Sequence, residues 1–175
     1  MAWTAPFTAV PNTVFTAAQF NTYVRDNLME TAPAKATSNG QVFVATDVNE
    51  IAARMVAQSN SSAEVPTESG TFSGTGPTLT LETGNRVITV VSATGRVSAG
   101  GAQGNMGVAI SGESSIGATS ALSLTFAGTY ETSNSFVHLH TNVTPGENTF
   151  TAQYSRTPSG TAYFRQRRLL VFPVS

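Results

Sequence analysis

Residues 146–174 read GENTFTAQYSRTPSGTAYFRQRRLLVFPV, and their pattern decides the fold class. Phe150, Ala152 and Tyr154 alternate with Thr149, Thr151 and Gln153, the period of a strand with one face on a core. PSG at 158–160 supplies turn chemistry, and two further runs, 161–165 and 168–174, follow it. Toward the N-terminus the same grammar recurs. Candidate strands fall at 78–81, 86–93, 106–111, 121–126 and 136–141, with Leu79 and Leu81, then Leu122, Leu124 and Phe126, in alternation. Between them stand GN at 84–85, TG at 94–95, the glycine-rich AGGAQGN at 99–105, SGESS at 111–115, GT at 128–129 and PGEN at 145–148, each plausible turn chemistry. Eight such runs within residues 71–175 predict an antiparallel β-sandwich, most simply a jelly roll.

Composition agrees with a mainly β chain. Charged residues make up 11% of the sequence, well below the roughly 25% of an ordinary soluble domain. The formal net charge is −1 and Lys35 is the single lysine, so electrostatics favour neither nucleic acid nor an anionic membrane as partner. The chain has no cysteine, which removes disulfides, thiolate metal sites and cysteine nucleophiles together. Neither a signal-peptide pattern at the N-terminus nor a run of about 20 apolar residues is present, so synthesis in the cytoplasm without membrane insertion is expected.

Ahead of the β region lies TAAQFNTYVRDNLM at 16–29, where several helix rules agree. Thr16 and Gln19 have capping-box spacing, and Phe15 and Phe20 occupy the positions of a hydrophobic staple. Phe20, Val24 and Leu28 fall at i, i+4 and i+8, flanked by Ala17 and Tyr23, while Arg25, Asp26 and Glu30 face elsewhere. Pro33 is expected to end the helix. A helix this short is marginal alone and must dock on something. Residues 1–15 carry Trp3, Phe7, Val10, Val14 and Phe15 with Pro6 and Pro11 among them, which predicts an extended arm. That arm packs against the helix, onto a partner, or back over the chain's own core.

A strand-like run follows at 41–46. Residues 47–57 are ambiguous: Asp47 and Glu50 have capping-box spacing, yet Val48, Ile51, Met55 and Val56 also fit a second strand after a turn, and the hairpin is preferred. QSNSSAEVPTESG at 58–70 is serine-rich and aperiodic, which marks a linker. The domain reading is therefore arm and helix at 1–33, neck hairpin and linker at 34–70, and head at 71–175.

Residues that could carry chemistry are few. His138 and His140 form an H-x-H on one strand, usable by a metal, but more simply imidazoles that are solvated or at a subunit interface. The glycine-rich loop lacks the GK[ST] of a P-loop. In RQRR at 165–168, a regular strand would put Arg165 and Arg167 on one face and Arg168 on the other. Glu82, Glu113, Glu131 and Glu147 lie near turns and form no recognisable pair for glycoside hydrolysis. The expectation is a protein without catalysis, cofactor or metal. Tyr130, Phe136, Tyr154 and Tyr163 offer an alternative as sugar-stacking rings of a carbohydrate-binding module.

Three stretches resemble a known class of proteins. TAAQFNTYVRDNL, following an arm with aromatic residues and prolines, resembles the N-terminal segment of minor structural proteins of tailed bacteriophages, especially those infecting actinobacteria. QVFVATDVNEIAARM at 41–55 resembles a short element of the form GDLLVAT…N.LARL found just downstream in such proteins, with Gln41 where Asp is usual. The C-terminal stretch resembles the last strands of their compact β heads, a shape similar to trimeric tumour-necrosis-factor-like jelly rolls. The resemblance implies a virion component that acts as a homotrimer and attaches to the major capsid protein or another virion protein through Trp3, Phe7, Phe15, Phe20, Tyr23, Val24 and Leu28. It implies capsid decoration or a head fibre first, and a tail-associated protein binding a receptor or host-surface glycan second.

Overall fold

The computed structural model describes residues 4, 5, 7, 8 and 10–175; Trp3, named above as an anchor residue, lies outside them. Eleven strands follow in chain order: β1 (Gln41–Asp47), β2 (Glu50–Met55), β3 (Ala57–Ser61), β4 (Val65–Thr67), β5 (Thr78–Thr83), β6 (Val87–Val97), β7 (Gln103–Gly112), β8 (Ser123–Phe126), β9 (Thr132–His140), β10 (Gly146–Thr157) and β11 (Ala162–Pro173). The chain divides into two units, Met1–Met55 with Ser175, and Val56–Val174.

In the second unit one sheet has the order β5-β10-β7-β8 and the other β3-β11-β6-β9, with β4 also paired to β11. All of these pairings are antiparallel. Counting β3 as the first sandwich strand and passing over β4, the two sheets read first-eighth-third-sixth and second-seventh-fourth-fifth. That interleaving is the strand order of a jelly roll. The alternation seen in sequence closes the core between the sheets: Phe150 and Tyr154 of β10, Met106 and Ile110 of β7, Val87 and Val91 of β6, and Phe164 and Leu169 of β11 are all buried. Each such side chain contributes on the order of 1.5–3 kcal/mol by leaving water.

Three details correct the sequence reading. Residues 58–70 are not simply a linker. Ala57–Ser61 pairs with Arg167–Val171, and Val65–Thr67 pairs with Ala162–Phe164. This edge is short and polar because only alternate residues approach the core, so no apolar period announces it. The dipeptide at 94–95 is not a turn either. A Cβ on Gly95 would stand 2.6 Å from the Phe126 ring and 2.8 Å from the Tyr163 carbonyl oxygen, so the glycine lets β6 run on beneath Phe126 to Val97.

The last two runs, finally, are one strand. Between the pairs Arg165↔Thr94 and Arg168↔Ser92, Gln166 and Arg167 stand opposite Ala93 alone, a β-bulge, and Gln166 has φ of 48°. The extra residue shifts the phase of the strand, so Arg165 and Arg168 are exposed and Arg167 points inward, 3% exposed. The shared face expected for Arg165 and Arg167 does not exist.

Candidate functional site

The first unit is built on the capped helix. Thr16 N–H donates to Gln19 Oε1 at 2.9 Å, and Gln19 N–H donates to Thr16 Oγ1 at 3.2 Å, completing the capping box. The helical segment runs through α1 (Ala17–Phe20), a π-helical turn (Asn21–Arg25) and α2 (Asp26–Met29). In the π turn the Asp26 N–H donates to the Asn21 carbonyl, which adds a residue to that turn and rotates the faces beyond it. The helix then loosens at Glu30 and Thr31, whose N–H groups donate to Asn27 and Leu28 carbonyls. Pro33 does not stop it, as expected from sequence, but sits in the first turn of α3 (Ala32–Lys35), where its missing N–H costs nothing.

The arm packs on this helix. Phe7 lies 5.7 Å from Phe15 and 5.6 Å from Tyr23 between ring centroids, and Phe15 meets Phe20 edge-on at 6.3 Å, the expected staple. Asn27 fastens the arm: Thr4 N–H donates to Asn27 Oδ1 at 2.9 Å, and Asn27 Nδ2 donates to the carbonyls of Thr4 at 2.9 Å and Tyr23 at 3.1 Å. Asn27 is 4% exposed, and sequence reading missed it; its position four residues after Tyr23 on the helix was the available signal.

Of the proposed anchor residues, Phe7, Phe15, Phe20 and Tyr23 come together in one chain of rings, Val24 is half-buried, and Leu28 stands in solvent. Residues 41–55 form the preferred hairpin, β1 against β2, with Asn49 at φ of 57° in the turn. Val42, Phe43 and Val48 of this hairpin are exposed. Among the described residues before Val56 no hydrophobic side chain is buried, whereas Val10, Val14, Phe15, Phe20, Leu28 and Met29 are exposed by 49–83%. A cavity of about 350 Å³ opens beside Phe7, Val10 and Phe15. The second unit, by contrast, closes a hydrophobic core of its own.

In the head, His140 is buried rather than solvated, and His138 is half-buried. Strand β9 turns Phe136, His138 and His140 toward the interior, because His140 pairs with buried Val87 and the alternation follows from that register. His140 is 6% exposed, its Nε2 lies 3.1 Å from Thr89 Oγ1, and its ring meets that of His138 edge-on at 4.6 Å. Burial, reinforced by repulsion from His138, lowers its pKa to about 4. No group of three or more His, Cys, Asp or Glu side chains able to hold a metal ion occurs among the described residues. The four rings considered for sugar stacking are scattered: Tyr154 is in the core, Phe136 packs against it, Tyr130 is 85% exposed, and Tyr163 lies under the Arg96 guanidinium at 3.9 Å. They form no common platform.

No protein-family model matches the sequence, and no curated protein matches it. Solved structures to which the chain is similar include viral-particle chains and carbohydrate-binding domains. The chain is similar to infectious bursal disease virus VP2 in its subviral particle, with TM-score 0.47 and 11% identity over 78% of this chain and 40% of that one. It is similar to the chain of the T13 particle of the same virus, with TM-score 0.45 and 9% identity over 73% of this chain and 34% of that one. A third similarity is to the CBM22-1 xylan-binding domain of Paenibacillus barcinonensis Xyn10C, with TM-score 0.37 and 11% identity over 80% and 90% of the two chains. The chain thus spans well under half the length of the two viral chains. These likenesses carry no argument about function, and the jelly roll rests on the strand order itself. No helix among the described residues is long and apolar enough to cross a membrane.

Proposed function

We propose that this chain is a structural, non-enzymatic component of a tailed-phage virion, attached through its N-terminal unit and displaying the jelly roll outward, with capsid decoration or a head fibre as its place. The observation that carries the reading is the open apolar surface of the first unit. Its capped helix, latched arm and hairpin are locally well formed, yet Val14, Phe20 and Leu28 remain in water, so the unit completes its core on something else. Three copies acting together make such attachment persistent even when each is weak alone. The resemblance of 16–28 and 41–55 to phage structural proteins supports the major capsid protein or another virion protein as the partner.

Co-sedimentation of the full chain with particles lacking it tests the reading. Wild type binds saturably and in fixed stoichiometry, and Phe20→Glu with Leu28→Glu abolishes binding while the head keeps its melting transition. Equal binding by that double variant removes the N-terminal unit from the attachment.

A second reading, a tail-associated glycan-binding protein, is favoured by one feature of the head. A groove of about 520 Å³ is lined by Gln58, Asn60, Ser62, Gln166 and Arg168, amides and a guanidinium suited to hydroxyls and a carboxylate. Binding of the full chain to a glycan array, lost in Arg168→Ala, would favour that reading over decoration alone.

A further inference from the structure

The bulge in β11 decides more than the burial of Arg167. In an unbroken strand Gln166 would face the core, as Phe164 does, and Arg168 would follow it inward. With the extra residue, Arg165, Gln166 and Arg168 all stand exposed on the outer side of the β3-β11-β6-β9 sheet. Arg167 holds the bulge from beneath through its bonds to the Tyr154 hydroxyl, Ser61 Oγ and the Ala63 carbonyl. Gln166 is thereby kept at φ of 48°, a region that residues other than glycine seldom enter. A bulge re-aims side chains, and here they are aimed between two hollows. One, of about 520 Å³, opens toward β3 and is lined by Gln58, Asn60 and Ser62; the other, of about 230 Å³, opens toward β6 and β9 and is lined by Ser92, Ser133 and Asn134. Gln166 and Arg168 line both. Hydrogen bonds prepare them. Thr94 Oγ1 donates to Gln166 Oε1 at 3.2 Å and takes a hydrogen from Ser133 Oγ at 2.8 Å, so Gln166 is held by its oxygen and keeps its Nε2 hydrogens for a ligand. Asn134 is the converse, its Nδ2 donating to the Thr125 carbonyl at 2.8 Å and its Oδ1 left to accept.

We infer that this double hollow binds an acidic polysaccharide, with the carboxylate of one uronate on Arg168 and the hydroxyls of flanking sugars on Gln166, Asn60 and Asn134. The inference rests on the glycan-binding reading and gives it a ligand class. Charge selects that class first. Arg165 is paired with Glu131 and Arg96 lies over the Tyr163 ring, whereas Arg168 forms no ion pair among the described residues. Three guanidiniums against one carboxylate leave this side of the sheet positive in a chain whose net charge is −1. One unpaired guanidinium suits one carboxylate at a time, held by two parallel hydrogen bonds. A nucleic acid or polyphosphate carries a charge on every unit and is met by several free cations. The lining chooses between a sugar and a peptide. Its only apolar side chain is Ala93, so an anchoring side chain of a peptide finds no pocket, while amides and hydroxyls on both sides of Arg168 match the mixed donors and acceptors of sugar hydroxyls. No aromatic ring lines either hollow, so recognition is by hydrogen bonds and charge.

Calorimetric titration of the full chain with fragments of hyaluronan, alginate and polygalacturonate tests this, beside the same fragments with their carboxyl groups reduced to alcohols and beside polyphosphate. At least one uronate fragment should bind, and its reduced form should bind about tenfold or more weakly. Arg168→Ala should bring the acidic fragment down to the level of the reduced one. Gln166→Gly, which frees the left-handed backbone of strain and removes the amide, should weaken both forms alike. Arg25→Ala takes the same charge from the first unit and should change neither. If Arg168→Ala loses the melting transition of the head, Arg168→Lys replaces it, keeping the charge without the planar fork, with a smaller loss expected. Reduced fragments that bind as tightly as acidic ones overturn the inference and leave the glycan-binding reading standing. Polyphosphate binding as tightly as the uronates shows an indiscriminate anion patch and overturns the inference as well. Binding by none of the fragments, acidic or reduced, overturns both.

Discussion

Arg167 donates from Nη1 to the Tyr154 hydroxyl at 2.8 Å, joining two side chains that are 3% and 1% exposed. Its other terminal nitrogen, Nη2, donates to Ser61 Oγ at 2.7 Å and the Ala63 carbonyl at 3.0 Å, so a buried guanidinium ties β11 to the first edge of the sandwich. Among the described residues no carboxylate forms an ion pair with it. Hydrogen bonds and the Tyr154 ring, whose centroid lies 5.5 Å from the guanidinium carbon, offset its desolvation, while Nε is buried without a hydrogen-bond partner. Burial raises the Tyr154 pKa, with the Arg167 bond pulling the other way, so the phenol is protonated at neutral pH and its oxygen free to accept.

Tyr154→Phe should therefore cost about 1–3 kcal/mol, because a buried donor loses its acceptor. Arg167→Met should cost a similar amount by stranding Ser61 and Ala63. The double variant should be less destabilised than the sum of the two, which urea unfolding of all four proteins measures. Strict additivity would mean the bond contributes nothing.

His140 sets a pH dependence. Its pKa is about 4 in the fold against 6.5 for an ordinary histidine, so the unfolded chain binds the proton more readily. Its contribution is fully present above pH 6.5, is lost as pH falls from 6.5 toward 4, and totals up to about 3 kcal/mol. Beside Thr89, His138 is the one other titratable side chain lining the small cavity it faces. The stability difference between wild type and His140→Gln, followed by denaturant unfolding across that window, should shrink on acidification; a constant difference would show that the ring is not buried neutral.

Gly95→Ala should destabilise the head by about 1–3 kcal/mol and lower its melting temperature, since the Tyr163 carbonyl cannot retreat from a Cβ as a flexible side chain could. Gly100→Ala, where nothing lies within 4 Å, should change it by less than about 0.5 kcal/mol. Equal melting temperatures for the two variants would mean that β6 does not run beneath Phe126.

Asn27→Ala removes the two hydrogen bonds that hold the arm at Thr4, and with them the Asn27 bond to the Tyr23 carbonyl within the helix. Limited proteolysis should cut the variant within its first fifteen residues several times faster than wild type, with the head untouched. An unchanged cleavage rate would place the hold on the arm in the Phe7 ring contacts alone.

What sequence made legible was local. Thr16 with Gln19, Phe15 with Phe20, and the alternation through Phe150, Ala152 and Tyr154 each depend on neighbours within a few residues, and all appear as read. What it hid depends on distant partners. Residues 57–61 become a strand through pairing with a segment more than a hundred residues away, and their own composition, AQSNS, has no apolar period. The bulge at Gln166 leaves no mark in RQRR, yet it decides which arginine enters the core. The inward turn of His140 follows from its register against Val87 rather than from hydrophobicity. In the candidate attachment surface the rings were foreseeable from their spacing, whereas Asn27 acts on an arm 23 residues away.

The central claim is that this chain belongs to a virion and is held there by its N-terminal unit. Cryo-electron microscopy of the particle whose genome encodes it, compared with the same particle after deletion of the chain, tests this most directly. The account predicts regularly placed density for the jelly-roll head on the particle and for the capped helix in contact with the shell, all absent from the deletion particle. Identical density with and without the chain would contradict it.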